Sequence, residues 1–493
     1  MAEVIMCVLG KRFGHGRVLS GLLLAGLCGM TGCDAPAPTE PNLPEGVGRA
    51  EGRLAQQGGN HEWDRRLAGL IASLSPDGHG LAYFRLPRNA AQLKRIPQDP
   101  NNPLTPAKVR LGQLLFHETA LAVGNVHSMG RETYSCASCH HAKGGFAANL
   151  PQGIGEGGQG FGAAGEGRVL SPLYDSDHHV PDVQPIRTPA VLNGAYQELM
   201  LWNGQFGGVG DNLGTEDRWV PGTPLESNGL GLHGLETQAH AGLGVHRLLD
   251  IESSRVADSP QYQRLFRLAF PDEPAPINRL NAALAIAAFE RTIIASRAPF
   301  QRWLRGDKEA MTETEVRGAI VFFGKAGCVR CHTGPALNSM SFHALGMGDL
   351  DGAHDPGRVD LRPFGGDVPE ETRKGRGGFT RDPNDDYAFK TPQLYNLADS
   401  PFYGHGASFS SVRQVIEYLN AAISENPRVP RERLSPYFRP LDLTPLEIDD
   451  LAAFLENALY DPGLERFVPR RLPSGNCTPA NDAQARIDLG CSP

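Results

Sequence analysis

The clearest chemical pattern in the chain is Cys-x-x-Cys-His, which occurs twice. The first copy places Cys136 and Cys139 before His140, and the second places Cys328 and Cys331 before His332. Two thiols three positions apart can add to both vinyl groups of one haem, and the imidazole that follows can bind the iron from the proximal side. A redox-active Cys-x-x-Cys or half of a zinc site would explain a single copy. Two copies, each with its histidine, predict two covalently bound haem c groups.

The first 33 residues have the pattern of an export signal. Lys11, Arg12 and Arg17 precede a short apolar run that ends at Cys28, and this run is too short to span a bilayer. The sequence Met-Thr-Gly-Cys, which ends at Cys33, resembles a lipoprotein processing box. We expect a periplasmic protein that is held to a membrane only by a lipid on Cys33. An ordinary signal peptide that is cut nearby is the alternative.

The cysteine count agrees with export. Of nine cysteines, two lie in the signal, one would carry the lipid and four would bind haem. The remaining two, Cys477 and Cys491, lie in a tail rich in Pro, Gly and Asn. We expect a disulfide between them, because such a tail has little capacity to form a core and the compartment is oxidising.

Size and charge limit the classes of fold and partner. At 493 residues, with 40% hydrophobic side chains, the chain can bury substantial cores. Its net charge of −8 at pH 7 argues against nucleic acid as a partner and permits docking of a basic redox protein.

The segments that must position the two motifs have helical patterns. Thr105 followed by Pro106 is typical of a helix start ahead of the first motif. Thr312 with Glu315 predicts a capping box for the helix that leads to the second motif. A long apolar helix is predicted over 277–294, and strand-like alternation is scarce.

We therefore predict a mainly α fold with two cytochrome c-like haem domains and long Gly-rich loops. The stretch 144–167 holds ten glycines, and loops of that length in a compact domain are usually functional or disordered. Because this loop follows a predicted haem motif, we expect it to be functional. The predicted segments are a signal peptide at 1–33, a tether at 34–82, an N-terminal haem domain at 83–300, a C-terminal haem domain at 301–470 and a tail at 471–493.

Seven further stretches form an ordered series between about Leu104 and Leu459. They are 109–116 (VRLGQLLF), 187–193 (RTPAVLN), 201–204 (LWNG), 235–239 (LETQA), 342–346 (FHALG), 390–396 (KTPQLYN) and 401–406 (PFYGHG). Together with the haem motifs, this series resembles the bacterial di-haem cytochrome c peroxidases and the related MauG-type di-haem enzymes.

The resemblance implies a division of labour. Peroxide is cleaved at the haem on His140, while the haem on His332 receives electrons, and Trp202 matches the tryptophan between them. Gln238 matches the glutamine of the family's peroxide site, but His246 stands where the family has a glutamate. An imidazole can act as acid and base near neutral pH; an ordinary hydrogen-bonded histidine is the alternative.

Many members of this family rest with a distal histidine on the first haem. The matching loop here has Glu156 at that position, and carboxylate is a poor ligand for haem iron. The resemblance therefore predicts an open position, with Glu156 either among the catalytic groups or solvated in a flexible loop. His178, His179 or His240 is the alternative occupant of the position.

The distal ligand of the second haem has several candidates. The family places a methionine or a tyrosine where this chain has Leu419, with Tyr418 beside it. Tyr418 would give a low potential, Met340 or Met347 a high one, and His343 an intermediate one.

The predicted function is reduction of hydrogen peroxide with electrons from a small redox protein, either a c-type cytochrome or a cupredoxin. A MauG-like oxidase that uses peroxide to modify a partner protein is the first alternative, and a non-catalytic electron-transfer cytochrome is the second. A calcium ion between the domains is a further expectation from the resemblance, since Thr188 and Asp399 lie near its ligand positions.

Overall fold

Helices supply nearly all of the regular structure in the computed structural model, which describes residues 49–88, 92–174, 179–248, 251–350 and 368–491. The α-helices are α1 Arg49–Leu74, α2 Pro106–His117, α3 Gly234–Val245, α4 Arg255–Asp258, α5 Pro260–Ala269, α6 Arg279–Glu290, α7 Pro299–Leu304, α8 Glu313–Phe323, α9 Glu370–Arg373, α10 Arg376–Thr380, α11 Val412–Ala421, α12 Pro445–Ala453 and α13 Ala483–Asp488. The predicted signal peptide, Cys33 and His178 lie outside the described residues.

Strands are few and short in the same residues. Strand β1 (Gly158–Gln159) pairs antiparallel with β2 (Val169–Leu170), and β3 (Phe342–His343) pairs antiparallel with β4 (Phe389–Lys390). The registers place Gly158 opposite Leu170 and Phe342 opposite Lys390. The mainly α prediction is confirmed.

Side chains at the helix starts act as the sequence predicts. Thr105 accepts a hydrogen bond from the Lys108 amide at 3.1 Å, with Pro106 in the first turn. In α8 the Thr312 hydroxyl accepts from the Glu315 amide at 3.3 Å, and the Glu315 carboxylate accepts from the Thr312 amide at 2.7 Å. These bonds satisfy amide groups that a helix leaves without intrahelical partners.

Each motif is preceded by a helix that crosses a second helix very closely. In α2, a β-carbon at Gly112 would lie 1.7 Å from the Ala285 carbonyl oxygen of α6. In α8, a β-carbon at Gly318 would lie 1.9 Å from the Asp450 carbonyl oxygen of α12. Only glycine permits either approach, because any side chain would overlap the facing backbone.

The core is continuous between the two halves of the chain. Residues Leu54–Pro493 form one compact unit, and buried side chains such as Phe116, Phe289, Phe322 and Phe454 belong to one hydrophobic cluster. The division into domains at residue 300 therefore stays a prediction.

Part of the predicted tether is helical and buried. Helix α1 begins at Arg49, and its side chains Leu67 and Ile71 are fully buried in the core. The Trp303 indole donates a hydrogen bond to the Asp64 carboxylate at 2.5 Å. Trp63 and Leu70 also pack against this core. The tether prediction is wrong for this part of 34–82, because apolar side chains three and four positions apart form one face that docks the helix.

The tail is closed by the predicted disulfide and packs on the first motif. Cys477 and Cys491 are joined, which confirms the pairing. The Ser135 and Ser138 hydroxyls donate to the Pro479 carbonyl oxygen at 3.0 and 2.7 Å. None of the helices in the described part of the chain has the length and apolar character needed to cross a membrane.

Candidate haem-binding and peroxide site

The first motif forms a tight turn that holds a histidine ready to bind a metal. Cys136 and Cys139 are free thiols, and burial raises the pKa of Cys139 to about 12. His140 Nδ1 lies 3.3 Å from the Phe146 carbonyl oxygen. Burial, followed by the nearby charge of His246, lowers the pKa of His140 to about 4. A neutral imidazole that donates from Nδ1 leaves the Nε2 lone pair for iron.

The second motif repeats this arrangement beside a large cavity. His332 Nδ1 lies 3.2 Å from the Leu337 carbonyl oxygen and 3.0 Å from that of Pro392, and burial lowers its pKa to about 4. A cavity of about 610 Å³ is lined by His332 and both thiols, Cys328 and Cys331. That volume lies in the usual range of cofactor sites. The donor sets of both motifs therefore fit covalently bound haem.

One face of α3 brings Gln238 and His246 together. A β-carbon at Gly242, which lies between them, would be 3.4 Å from Gln238 Nε2 and 3.8 Å from His246 Cδ2. The Gln238 amide has no hydrogen bond to another described residue. His246 is near enough to His140 to lower its pKa. Gln238 and His246 thus lie on either side of Gly242, with His246 close to the first motif. The resemblance predicts Gln238 at such a site, and His246 replaces the glutamate of the family.

A buried carboxylate orients His246. His246 Nδ1 lies 2.8 Å from Asp182 Oδ2. Asp182 is buried, and its other oxygen accepts from the Gln184 amide at 3.1 Å. Burial alone would lower the pKa of His246, but the charge and hydrogen bond of Asp182 raise it above its ordinary value. A carboxylate that accepts from Nδ1–H leaves Nε2 as the basic nitrogen.

Sequence reasoning missed Asp182. It lies 64 residues before His246, on the short extended segment where Ile154 bridges Val183. The Gly155 amide donates to the Asp182 carbonyl oxygen at 2.9 Å. The Asp182–His246 pair forms only through this contact between a loop and a helix, so no local spacing in the sequence predicts it.

Glu156 is fully buried and holds three loops together. Its Oε1 accepts from the amides of Val126 and His127 at 2.7 and 3.1 Å and from the Tyr174 hydroxyl at 2.9 Å. Its Oε2 pairs with Arg247 at 2.6 Å. The reading of Glu156 as solvated is therefore wrong, and both of its oxygens are already hydrogen-bonded.

The described alternative histidines also have other partners. His240 Nδ1 lies 2.9 Å from the Ser227 hydroxyl. The His179 ring packs edge-on against those of His127 and Tyr174, with centroids 4.7 and 6.4 Å apart. Neither contact directs an imidazole toward His140.

The structure separates the candidate ligands of the second haem. The Tyr418 hydroxyl donates to the Leu345 carbonyl oxygen at 2.6 Å, and Tyr418 does not line the cavity of His332, whereas Leu419 does. His343 and Met347 also line that cavity. Both ring nitrogens of His343 lie within 3.2 Å of serine hydroxyls, so its hydrogen-bonding capacity is used. Met340 is not among the lining residues.

Trp202 lies at the wall of the same cavity. Its indole nitrogen donates to the Arg187 carbonyl oxygen at 2.8 Å, and its own carbonyl oxygen accepts from the Lys390 amide at 2.7 Å. Trp202 is therefore fixed at both its backbone and its side chain beside the cavity of His332, and its role between the two haems stays a prediction.

The calcium expectation has no support from side-chain clustering. Thr188 accepts a hydrogen bond from the Gly153 amide at 2.9 Å, and Asp399 accepts from the Asn396 side chain at 2.8 Å. Within the described residues, no group of three His, Cys, Asp or Glu side chains is placed to hold a metal ion.

Known proteins resemble this chain in sequence. The sequence model of the di-haem cytochrome c peroxidase family matches residues 106–309. The chain is 30% identical to the methylamine utilization protein MauG of Methylorubrum extorquens over 381 residues, which cover 77% of this chain and 84% of that protein. It is 25% identical to the cytochrome c551 peroxidase of Nitrosomonas europaea, over 65% of this chain and 77% of that protein.

A solved structure shares the fold. The crystal structure of a MauG-like protein associated with microbial copper homeostasis superposes with a TM-score of 0.51 at 24% identity, over 75% of this chain and 94% of that one.

Proposed function

The chain belongs to the di-haem cytochrome c peroxidase family, and from that premise we propose that it reduces hydrogen peroxide to water. The balanced reaction takes two electrons from a small redox protein, a c-type cytochrome or a cupredoxin, and two protons: H₂O₂ + 2e⁻ + 2H⁺ → 2H₂O. A haem on Cys136 and Cys139 would supply an iron that binds peroxide. The observation that carries the proposal is the pairing of His246 with Asp182 beside Gln238 and His140.

His246 is proposed to move the proton. In its neutral form, Nε2 takes a proton from one peroxide oxygen and returns it to the departing oxygen, while Asp182 stabilises the charged imidazolium that exists between these steps. The Gln238 amide, which has no hydrogen bond to another described residue, donates to the oxygen that gains negative charge. This chain thus uses an Asp–His pair where its relatives are expected to use a glutamate.

The test compares His246→Ala and Gln238→Ala with His233→Ala, whose side chain at the start of α3 makes no capping hydrogen bond. Stopped-flow measurement of the reaction with peroxide should show each site variant slowed by roughly 10²- to 10⁴-fold, the usual contribution of a general acid/base group. The His233 variant should react as the unmodified protein does. Equal rates in His246→Ala and His233→Ala would return His246 to a structural role.

The first haem is proposed to have an open position in the oxidised protein. Glu156 is held by four donors, and His179 and His240 contact other groups. Electron paramagnetic resonance of the oxidised protein should therefore contain a high-spin signal as well as a low-spin one. Two low-spin signals without a high-spin signal would contradict the assignment.

Met347 is proposed as the distal ligand of the second haem. It lines the cavity of His332, whereas the hydroxyl of Tyr418 is committed to a carbonyl group. A thioether ligand raises the reduction potential. Met347→Leu should remove the thioether–iron absorption band of the oxidised protein and lower the potential, whereas Tyr418→Phe should change neither. Loss of the band in the Tyr418 variant alone would reverse the assignment.

The second candidate function is a MauG-like oxidation of a partner protein, which the 30% identity to a MauG protein favours. Consumption of peroxide with a reduced small redox protein, but not with the oxidised form, would favour the peroxidase.

For location, we propose the periplasm with a lipid on Cys33, since a disulfide closes the tail and disulfides persist in oxidising compartments.

A further inference from the structure

Two buried cations face the cavity of His332 without an acidic partner. Arg187 donates from Nη2 to the Ser400 hydroxyl at 2.7 Å, but its Nε is buried and has no hydrogen-bond partner. Lys390 is buried and donates from Nζ to the Leu199 carbonyl oxygen at 2.5 Å and to the Gln197 side chain. Within the described residues, no carboxylate lies in salt-bridge distance of either cation.

This arrangement is costly in the protein alone. Burial lowers the pKa of Arg187 to about 10 and that of Lys390 to about 7. The effective penalty for an uncompensated buried ion is several kcal/mol, and two such ions line one cavity. An occupant of the cavity that carries negative charge would offset this penalty and favour the charged forms of both side chains.

The backbones of Arg187 and Lys390 are both hydrogen-bonded to Trp202. Trp202 donates its indole N–H to the carbonyl oxygen of Arg187 and accepts from the amide of Lys390. Because Cys328, Cys331 and His332 line the same cavity, a haem bound by these residues would be the occupant that brings anions there. A haem has two carboxylates, and they lie on the part of the porphyrin away from its vinyl-derived thioether links.

We propose that Arg187 and Lys390 bind the two propionates of the haem attached at Cys328 and Cys331. This inference rests on the second haem of the proposed function and not on the reaction with peroxide. An arginine fork suits a carboxylate, and charge-assisted hydrogen bonds are about twice as strong as neutral ones. Bound in this way, the propionates would lie on the Trp202 side of the cavity, and the two cations would raise the potential, because buried positive charge favours the reduced iron over the oxidised iron.

The experiment is a redox titration of the intact two-haem protein followed by visible spectroscopy. Arg187→Gln and Lys390→Gln remove one charge each, and Arg439→Gln removes an exposed cation that lines the same cavity. Each buried-site variant should lower the potential of the His332 haem by 59 mV or more, a tenfold change in the one-electron equilibrium constant. The Arg439 variant should shift it less. Covalent haem content should stay at two per chain throughout.

The outcomes separate this inference from the proposed function. Arg187→Lys, which keeps the charge, should restore most of the potential; a failure to do so would mean that packing and not charge is responsible. A shift confined to the His140 haem would reassign the pair to that cofactor and overturn the proposal. Potentials like those of the Arg439 variant would overturn it as well. If Arg187→Gln does not fold, Lys390→Gln tests the same assignment alone. None of these readouts depends on peroxide turnover.

Discussion

Replacing Asp182 by asparagine tests whether the Asp–His pair performs the proton transfer. The Asp182 carboxylate accepts from His246 Nδ1 at 2.8 Å, and its second oxygen accepts from Gln184. Asparagine keeps the size of the side chain. However, its amide cannot accept two hydrogen bonds in the same way, and it offers a donor where His246 Nδ1–H points. The imidazole can then turn its proton to Nε2, which removes the base from the peroxide site.

The size of the expected pKa shift of His246 depends on the charge of Asp182 and on the exposure of the imidazole. A carboxylate at hydrogen-bonding distance shifts a neighbouring pKa by about 1–3 units. Since the His246 side chain is 37% exposed, solvent screening places the effect at the lower end. We expect Asp182→Asn to lower the pKa of His246 by about 1 unit, which corresponds to about 1.4 kcal/mol.

The protonation state of His246 decides whether the rate rises or falls with pH. Only neutral His246 accepts a proton, and Asp182 raises its pKa above the ordinary value, so the rate of reaction with peroxide should rise as pH increases through this raised pKa. In Asp182→Asn the rising limb should move about 1 unit toward lower pH. Its plateau should fall by about 10- to 100-fold, a part of the contribution of an acid/base group.

The assay is the second-order rate constant for peroxide, measured by stopped flow between about pH 5 and pH 9, a range that brackets the ordinary histidine pKa. Asp272→Asn, at an exposed position, is the matched control and should leave both limb and plateau unchanged. An Asp182 variant with the unmodified protein's limb and plateau would refute the reasoning, because neither the charge nor the hydrogen bond would then govern His246.

Three other changes have expected outcomes. Serine at Cys136 and Cys139 should leave one covalent haem per chain by mass spectrometry, and acid-acetone should extract no haem from the unmodified protein. Trp202→Phe should slow electron transfer between the haems with nearly unchanged spectra, since phenylalanine is far harder to oxidise; an unaltered transfer rate would assign Trp202 to packing. Serine at Cys477 and Cys491 should lower the free energy of unfolding by about 3 kcal/mol, the value for a loop of about 15 residues, measured by denaturant titration.

The haem sites could be predicted from the sequence because their chemistry is local. Cys136, Cys139 and His140 are contiguous, so the spacing of their side chains depends on one turn of backbone. The caps at Thr105 and Thr312 were predictable for the same reason, since each joins groups three residues apart.

Long-range contacts account for what sequence reasoning missed or misjudged. Glu156 could be placed in its loop, but its burial depends on Val126, Tyr174 and Arg247, which approach from three other segments. Similarly, the apolar side chains of a largely polar segment such as α1 become part of the core only when a matching surface is present.

From the sequence alone we could predict which residues attach haem, and we correctly predicted the helical class of the fold and the tail disulfide, because these depend on short spacings or on elimination among few cysteines. Three-dimensional packing was needed to show that Asp182 orients His246, that Tyr418 turns away from the second cavity, and that Arg187 and Lys390 face it together. A side chain's charge state and direction depend on burial and on partners far along the chain, which no local pattern encodes.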